Sequence, residues 1–193
     1  MPLRLKTSRR SRPLRLMKKF RFQLLHEWIT GHLAPCRVAD IGGGKGLLAH
    51  LLQAGGFAAT VIDPVDQPLP PVYRDLAGER HRIPATAQVR RVTRAFDSAM
   101  AGSYDLLVGL HAHGSNIRIL EAASRHGTGF ILLPCCVIDE PIEIRPNVDW
   151  FESLVTRAQV LGFDPGRFEL NFRGQCRGFF APGARARLLA PES

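Results

Sequence analysis

Apolar positions along this chain fall into two periods. Residues 14–29 carry Leu14, Met17, Leu24, Leu25, Trp28 and Ile29 at helical spacing, with basic residues on much of the opposite face. Gly31 is expected to close that helix. A short apolar strand, Val38-Ala39-Asp40-Ile41, runs into a glycine turn and a helix to about Gln53, ended by Gly55-Gly56. Residues 57–62 read as a second buried strand, finishing at Asp63-Pro64. Residues 64–84 are rich in Pro, with few periodic apolar positions, and read as a loop or irregular helix. Residues 88–96 hold a short third strand, through Val89, Val92 and Ala95, that runs to Phe96-Asp97. The near-continuous apolar run at 104–110 has the character of a buried parallel strand. A helix follows to about Arg125, and Gly127 ends it; residues 129–133 make a fifth strand. Trp150, Leu154, Val155, Ala158 and Leu161 mark another helix. Residues 168–172 and 177–180 alternate around Gly174-Gln175 as a closing hairpin, and the tail from Ala181 is expected to fray. Strands alternating with helices imply an α/β fold with a doubly wound, mostly parallel sheet, whose site lies at the carboxyl ends of the strands.

At 193 residues the chain suits one domain with a full core. No apolar run approaches the roughly 20 residues a membrane span needs, so no membrane partner is expected. There is no secretory signal near the start. The four cysteines form no regular framework, which points to reduced thiols in a cytoplasmic setting. The formal net charge of +9 is unevenly placed. Nine cations (Arg4, Lys6, Arg9, Arg10, Arg12, Arg15, Lys18, Lys19 and Arg21) precede the first acid, Glu27. Subtracting them leaves 26 − 9 = 17 bases against 17 acids, a neutral body. The chain divides accordingly into a basic arm and N-terminal helix at 1–31, a domain at 32–181 and a tail at 182–193. The arm admits three readings: a phosphate-binding tail for nucleic acid, driven by counterion release; a solvated terminus; or a transit peptide. Phe20 and Phe22 flank Arg21, next to Lys19, where aromatics stack on bases or dock a helix onto its domain. Oligomeric state is not legible in the sequence.

The glycine turn narrows the chemistry. A dinucleotide fingerprint fails, because its third glycine would fall on Leu47; a P-loop fails, because Gly46 follows Lys45. What remains is D-x-G-x-G-x-G at Asp40, Gly42, Gly44 and Gly46. This resembles the first motif of class I S-adenosylmethionine (SAM)-dependent methyltransferases. The resemblance implies their seven-stranded sheet, here with a basic helical N-terminal extension, and SAM as cofactor. It implies cofactor contacts from Asp40, Gly42, Gly43, Gly44 and Gly46, and from Gly109 and Leu110 at the end of the fourth strand. The alternative is an ordinary strand–helix turn of another α/β fold. Asp63, 23 positions after Asp40, stands where a carboxylate would hold a ribose, or where an aspartate before proline fixes a turn. In that family adenine sits beside the end of the third strand, which brings in Phe96 and Asp97.

A second constellation, Leu110-His111-Ala112-His113-Gly114 with Leu133-Pro134-Cys135-Cys136, resembles a small group of class I methyltransferases. These have L-H-A-C-G after strand four and P-C-C after strand five, and tRNA 2′-O-methyltransferases with H-x-C-G…C-C are among their relatives. The resemblance covers roughly residues 36–136. Here His113 replaces the cysteine, and Ser115-Asn116 stand where the group often has a polar or acidic pair. His111 matches the invariant member of the turn and is the first candidate for a general base, with His113 second. Its other reading is a buried histidine fixing the loop. H-x-H and adjacent cysteines fit zinc spacing poorly, so no metal is expected. A nucleophilic cysteine is not expected either, since methyl transfer from SAM is a direct displacement that needs alignment. The expected function is SAM-dependent methylation of RNA (tRNA or rRNA), with Arg9, Arg10, Arg12, Lys18, Lys19 and Arg21 binding the substrate. The rival expectations are methylation of a protein or small molecule, and an RNA-binding module of the same fold without turnover.

Overall fold

The computed structural model of the chain describes residues 15–141 and 148–189. Nine strands and four α-helices follow in order. They are α1 (Arg21–His32), β1 (Arg37–Ile41), α2 (Leu47–Ala54), β2 (Ala58–Ile62), β3 (Val72–Arg74), β4 (Arg80–Arg82), β5 (Arg90–Val92), β6 (Leu106–Leu110), α3 (Asn116–His126), β7 (Gly129–Leu133), α4 (Trp150–Val160), β8 (Gly166–Glu169) and β9 (Arg177–Ala181). Seven strands form one sheet in the order β5-β2-β1-β6-β7-β9-β8. The strands from β5 to β7 are parallel, while β9 runs antiparallel to both β7 and β8. The expected doubly wound sheet and closing hairpin are therefore present. Strand order reverses between β1 and β6, the crevice where such sheets hold ligands.

Each central strand is apolar on both faces, because both faces are covered. Val38, Val61, Leu106, Val108, Ile131 and Leu133 pack with Leu25 and Ile29 of α1 and Leu48 and Leu52 of α2. Ala39, Ile41, Ile62, Leu107, Phe130 and Leu132 meet Ile119 and Leu120 of α3 and Phe151, Leu154 and Val155 of α4. Each fully buried Leu or Ile contributes roughly 1.5–3 kcal/mol. Among the described residues, no helix is long and apolar enough to cross a membrane.

The structure differs from the sequence-based expectation in three places. The first helix is split: Lys18–Phe20 is one 3-10 turn, and α1 runs through Gly31 to His32, ending where Leu33 turns extended. Leu25 and Ile29 are fully buried, so α1 packs into the core. Residues 64–84 hold an antiparallel ribbon, β3 with β4. The tail does not fray from Ala181. Ala34 donates its N–H to the Arg187 carbonyl, and Leu189 donates to that of His32, which stitches residues 187–189 to the end of α1.

Candidate functional site

The loops after β1 and β6 meet across the crevice. Gly42, Gly44 and Gly46 all have positive φ, at 66°, 54° and 80°. Gly46 caps α2 in the left-handed region. A Cβ there would come within 3.0 Å of Val89 and 3.1 Å of Val61, so the helix can approach β2 only through glycine. Gly44 is the opposite case. A Cβ on it would meet nothing within 4 Å, so it borders open space.

That space is a cavity of about 510 Å³. Gly42, Gly43, Gly44, Lys45, Gly46 and Leu47 form one wall, and Leu110, His111, His113 and Cys135 another. Lys18, Arg21, Phe22, Gln67 and Pro70 complete it. Lys18, Arg21 and Lys45 bring positive charge, and none of these lining residues is acidic. Arg21 Cζ lies over the Phe22 ring, 4.2 Å from its centroid, within range of a cation–π contact.

The residues singled out in the sequence separate into groups. Gly42, Gly43, Gly44, Gly46, Leu110, His111, His113, Lys18 and Arg21 converge on the cavity. Lys19 borders an adjoining groove with Phe20, Gln23 and Arg74. Phe20 is buried and docks its segment onto the domain. Arg9, Arg10 and Arg12 fall outside the described residues. Asp40, Asp63, Gly109, Phe96 and Asp97 are not among the lining residues. Gly109 is a packing glycine: a Cβ would lie 2.7 Å from Leu132 and 2.9 Å from Ile119. Phe96 is buried in the core beyond the end of β5. Asp97 accepts from Ala99 N at 2.8 Å and caps the 3-10 helix Ser98–Ser103.

Asp40 lies beneath the turn, 2 % exposed. Its Oδ2 has no hydrogen-bond partner among the described residues. Burial pushes its carboxyl up to about 7, against a smaller lowering by the Ala49 backbone. Asp63 is also buried, and both oxygens accept from backbone: Oδ2 from Gly44 N and Oδ1 from Val65 N, each at 2.9 Å. The turn-fixing reading of this aspartate describes these bonds; a ribose contact would have to use its remaining lone pairs.

His111 has φ of 58°, a conformation that costs most residues about 1–3 kcal/mol and clusters at functional sites. Its Nε2 donates to the Gln175 carbonyl at 3.0 Å, which leaves Nδ1 as the basic nitrogen. Burial, then the nearby charges of Lys18 and Arg21, lower its pKa below the usual imidazole value. The ring is therefore neutral at neutral pH. His113 sits elsewhere on the same wall, its Nε2 3.2 Å from Cys135 Sγ. Burial, then the neighbouring Cys136, push the Cys135 thiol up to about 11.

Three features had no clear signal in the sequence. Arg91 donates from Nη1 to the Gly44 carbonyl and from Nη2 to the Gln67 carbonyl, both at 2.9 Å. Its Nε lies 3.3 Å from Asp66. One side chain from the edge of the parallel strands thus clamps the glycine turn. Glu140 accepts from Asn116 N at 2.9 Å, Asn116 Nδ2 at 2.6 Å and Ile117 N at 3.1 Å, capping α3 from a distant loop. Phe22 and Lys45 complete walls that the motifs only partly defined.

No family model matches the chain, and no curated protein does. Solved structures do match in fold. A chain of the fibrillarin/Nop5p complex aligns with 86% of this chain and 83% of its own, at 15% identity and a TM-score of 0.56. A SAM-dependent methyltransferase from Archaeoglobus fulgidus aligns with 86% and 96%, at 14% identity and a TM-score of 0.51. The seven-stranded sheet is that of the class I methyltransferase fold.

Proposed function

We propose that this chain binds SAM at the glycine turn and transfers its methyl group to RNA. The observation that carries the proposal is the convergence of three elements on one cavity: the D-x-G-x-G-x-G turn, the His111-bearing turn, and a rim of Lys18, Arg21 and Lys45. The cofactor follows the one named for the Archaeoglobus fulgidus neighbour. The residues present fit it in two respects. Gly44 borders empty space, as a turn passing close beneath a ligand requires. The buried Asp40 Oδ2 lacks a partner beneath that turn. Bound there, SAM would supply an electrophilic methyl on a sulfonium.

The chain's own work would be positioning and proton removal. Gly42, Gly43, Gly44 and Gly46 would bear the cofactor, with Asp63 and Arg91 holding the turn in shape. Leu110 would close the wall beside it. The neutral His111, its Nε2–H fixed by Gln175, would accept a proton at Nδ1 from the substrate. Lys18 and Arg21 would hold phosphates at the mouth, with Lys19 beside them and Arg9, Arg10 and Arg12 extending the charge. An all-cationic rim favours an anionic polymer over a neutral metabolite. The ribbon adds Arg74, Arg80 and Arg82 along the adjoining grooves. The turns after β6 and β7 carry the likeness to tRNA methyltransferase relatives.

Calorimetric titration of the full chain with SAM and with S-adenosylhomocysteine tests the cofactor half. Saturable one-site binding of both is expected. Absence of binding to either would remove the enzyme reading and leave an RNA-binding module of the same fold.

A further inference from the structure

Beside the base candidate lies a group that the proposed chemistry does not use. Cys135 Sγ is 3.2 Å from His113 Nε2, Cys136 Sγ is 3.5 Å from Nδ1 and 3.8 Å from Nε2 of the same ring, and the two sulfurs are 3.5 Å apart. Two loops, after β6 and after β7, supply these atoms. A thiol–imidazole hydrogen bond accounts for one of the contacts. It gives no reason for a second sulfur within 4 Å of both the ring and the first sulfur.

A shared metal ion would account for the gathering of the three donors. Zinc bound tetrahedrally, with Zn–S of about 2.3 Å and Zn–N of about 2.0–2.1 Å, separates two sulfurs by about 3.8 Å and a sulfur from a nitrogen by about 3.6 Å. Three of the distances lie within about 0.4 Å of that face of a tetrahedron, while the 3.5 Å contact of Cys136 Sγ with Nδ1 requires the His113 ring to turn its Nε2 toward the ion on binding. All three donors lie within 4.8 Å of one another. Adjacent cysteines on a strand point to opposite faces, but β7 ends at Leu133 and Pro134 starts a loop, where both sulfurs can turn to one side. His111, which the sequence paired with His113, is not in the cluster; its ring is held by Gln175.

The two loops are also held together by contacts that spare the donors. Glu140 caps α3 through Asn116 and Ile117. Gly114 abuts Asp139 so closely that a Cβ would lie 2.9 Å from the Asp139 Cβ and carbonyl oxygen. These contacts fix the two loops relative to each other.

We propose that His113, Cys135 and Cys136 bind a thiophilic divalent cation of the zinc class, with a fourth position open. His113 and Cys135 line the cavity, and Cys135 and Cys136 border a second, smaller one. Three protein ligands and one open position are the arrangement of catalytic rather than structural zinc. Binding is an exchange of one cation for two thiol protons, which leaves the site formally neutral. The open position would take water or an oxygen of the bound substrate. The inference does not rest on the methyl-transfer reading, because the cation site needs neither cofactor nor RNA.

Cobalt(II) titration of the full chain, stripped by chelator and kept reduced, tests it. One cobalt per chain is expected, with thiolate-to-cobalt charge-transfer absorption and the intense visible bands of a tetrahedral ion. Zinc should displace it and abolish the colour. Cys135→Ser, Cys136→Ser and His113→Ala should each weaken binding at least tenfold, while Cys36→Ser, at a thiol outside the cluster, should leave it unchanged. Circular dichroism would establish that each variant is folded. A wild-type chain that gives no charge-transfer band overturns the proposal without recourse to any variant. So does equal binding by the folded Cys136→Ser chain, or loss of binding in Cys36→Ser.

Discussion

Gly44 donates its backbone N–H to Asp63 Oδ2 at 2.9 Å, which ties the glycine turn to the end of β2. The second carboxylate oxygen holds Val65 N. Asp63 therefore shapes the turn whatever else it touches. We expect Asp63→Ala to weaken SAM binding by roughly 1–3 kcal/mol, the scale for bonds to a charged group, and to lower the melting temperature as well. Calorimetry and thermal melts measure both. Full affinity with a lowered melting temperature would assign Asp63 to the turn alone.

Asp40 should make stability depend on pH. Its carboxyl is near 3.8 when unfolded and about 7 when folded. Between those values the folded chain keeps a proton that the unfolded chain has released. Stability from this group therefore falls as pH rises through the window, by at most about 1.4 kcal/mol per pH unit, and levels off above it. Asp40→Asn keeps the shape and removes the titration. Urea melts across the window should show the variant gaining on wild type as pH rises; parallel curves would mean that Asp40 titrates normally.

His111 can be tested by separating turnover from binding. If its Nδ1 takes the substrate proton, His111→Ala should lose about 10²–10⁴-fold in kcat and keep its affinity for SAM. A purely loop-fixing role through Gln175 would instead lower the melting temperature and SAM affinity, with little specific loss in kcat.

The basic arm is best cut ahead of Arg15, because the described residues that follow are anchored. Leu16 bridges to Phe172, and Phe20 is buried. Removing residues 1–14 takes away Arg4, Lys6, Arg9, Arg10 and Arg12. Each lost phosphate contact should flatten the log–log salt dependence of RNA binding by about 0.7 on a single strand, leaving SAM affinity as it was. Fluorescence anisotropy at several salt concentrations gives both slopes. Identical slopes would show that those cations are solvated and touch no RNA.

What the sequence revealed, and what it hid, follows from range. β6 and β7 announced themselves because strands buried on both faces read as unbroken apolar runs. The glycine turn was legible because positive φ and close approach select glycine locally. The β3–β4 ribbon left no such trace: its strands have three residues each, and Arg80, His81 and Arg82 are all exposed, so there is no alternation to see. Arg91 read as one more cation; only the packing of β5 beside β2 brings it to the Gly44 carbonyl. The contact of His113 with Cys135 was not legible either, since the two lie 22 residues apart and meet only when the loops after β6 and β7 fold together.

Methyl transfer to RNA is tested most directly with methyl-labelled SAM. The full chain would be incubated with total RNA and, separately, with total protein, beside a Gly44→Val chain whose side chain would enter the open space above the turn. We expect label to accumulate in RNA in proportion to the wild-type chain, and to be absent from protein and from all Gly44→Val reactions. Label in protein alone, or RNA labelling that Gly44→Val leaves intact, would contradict it.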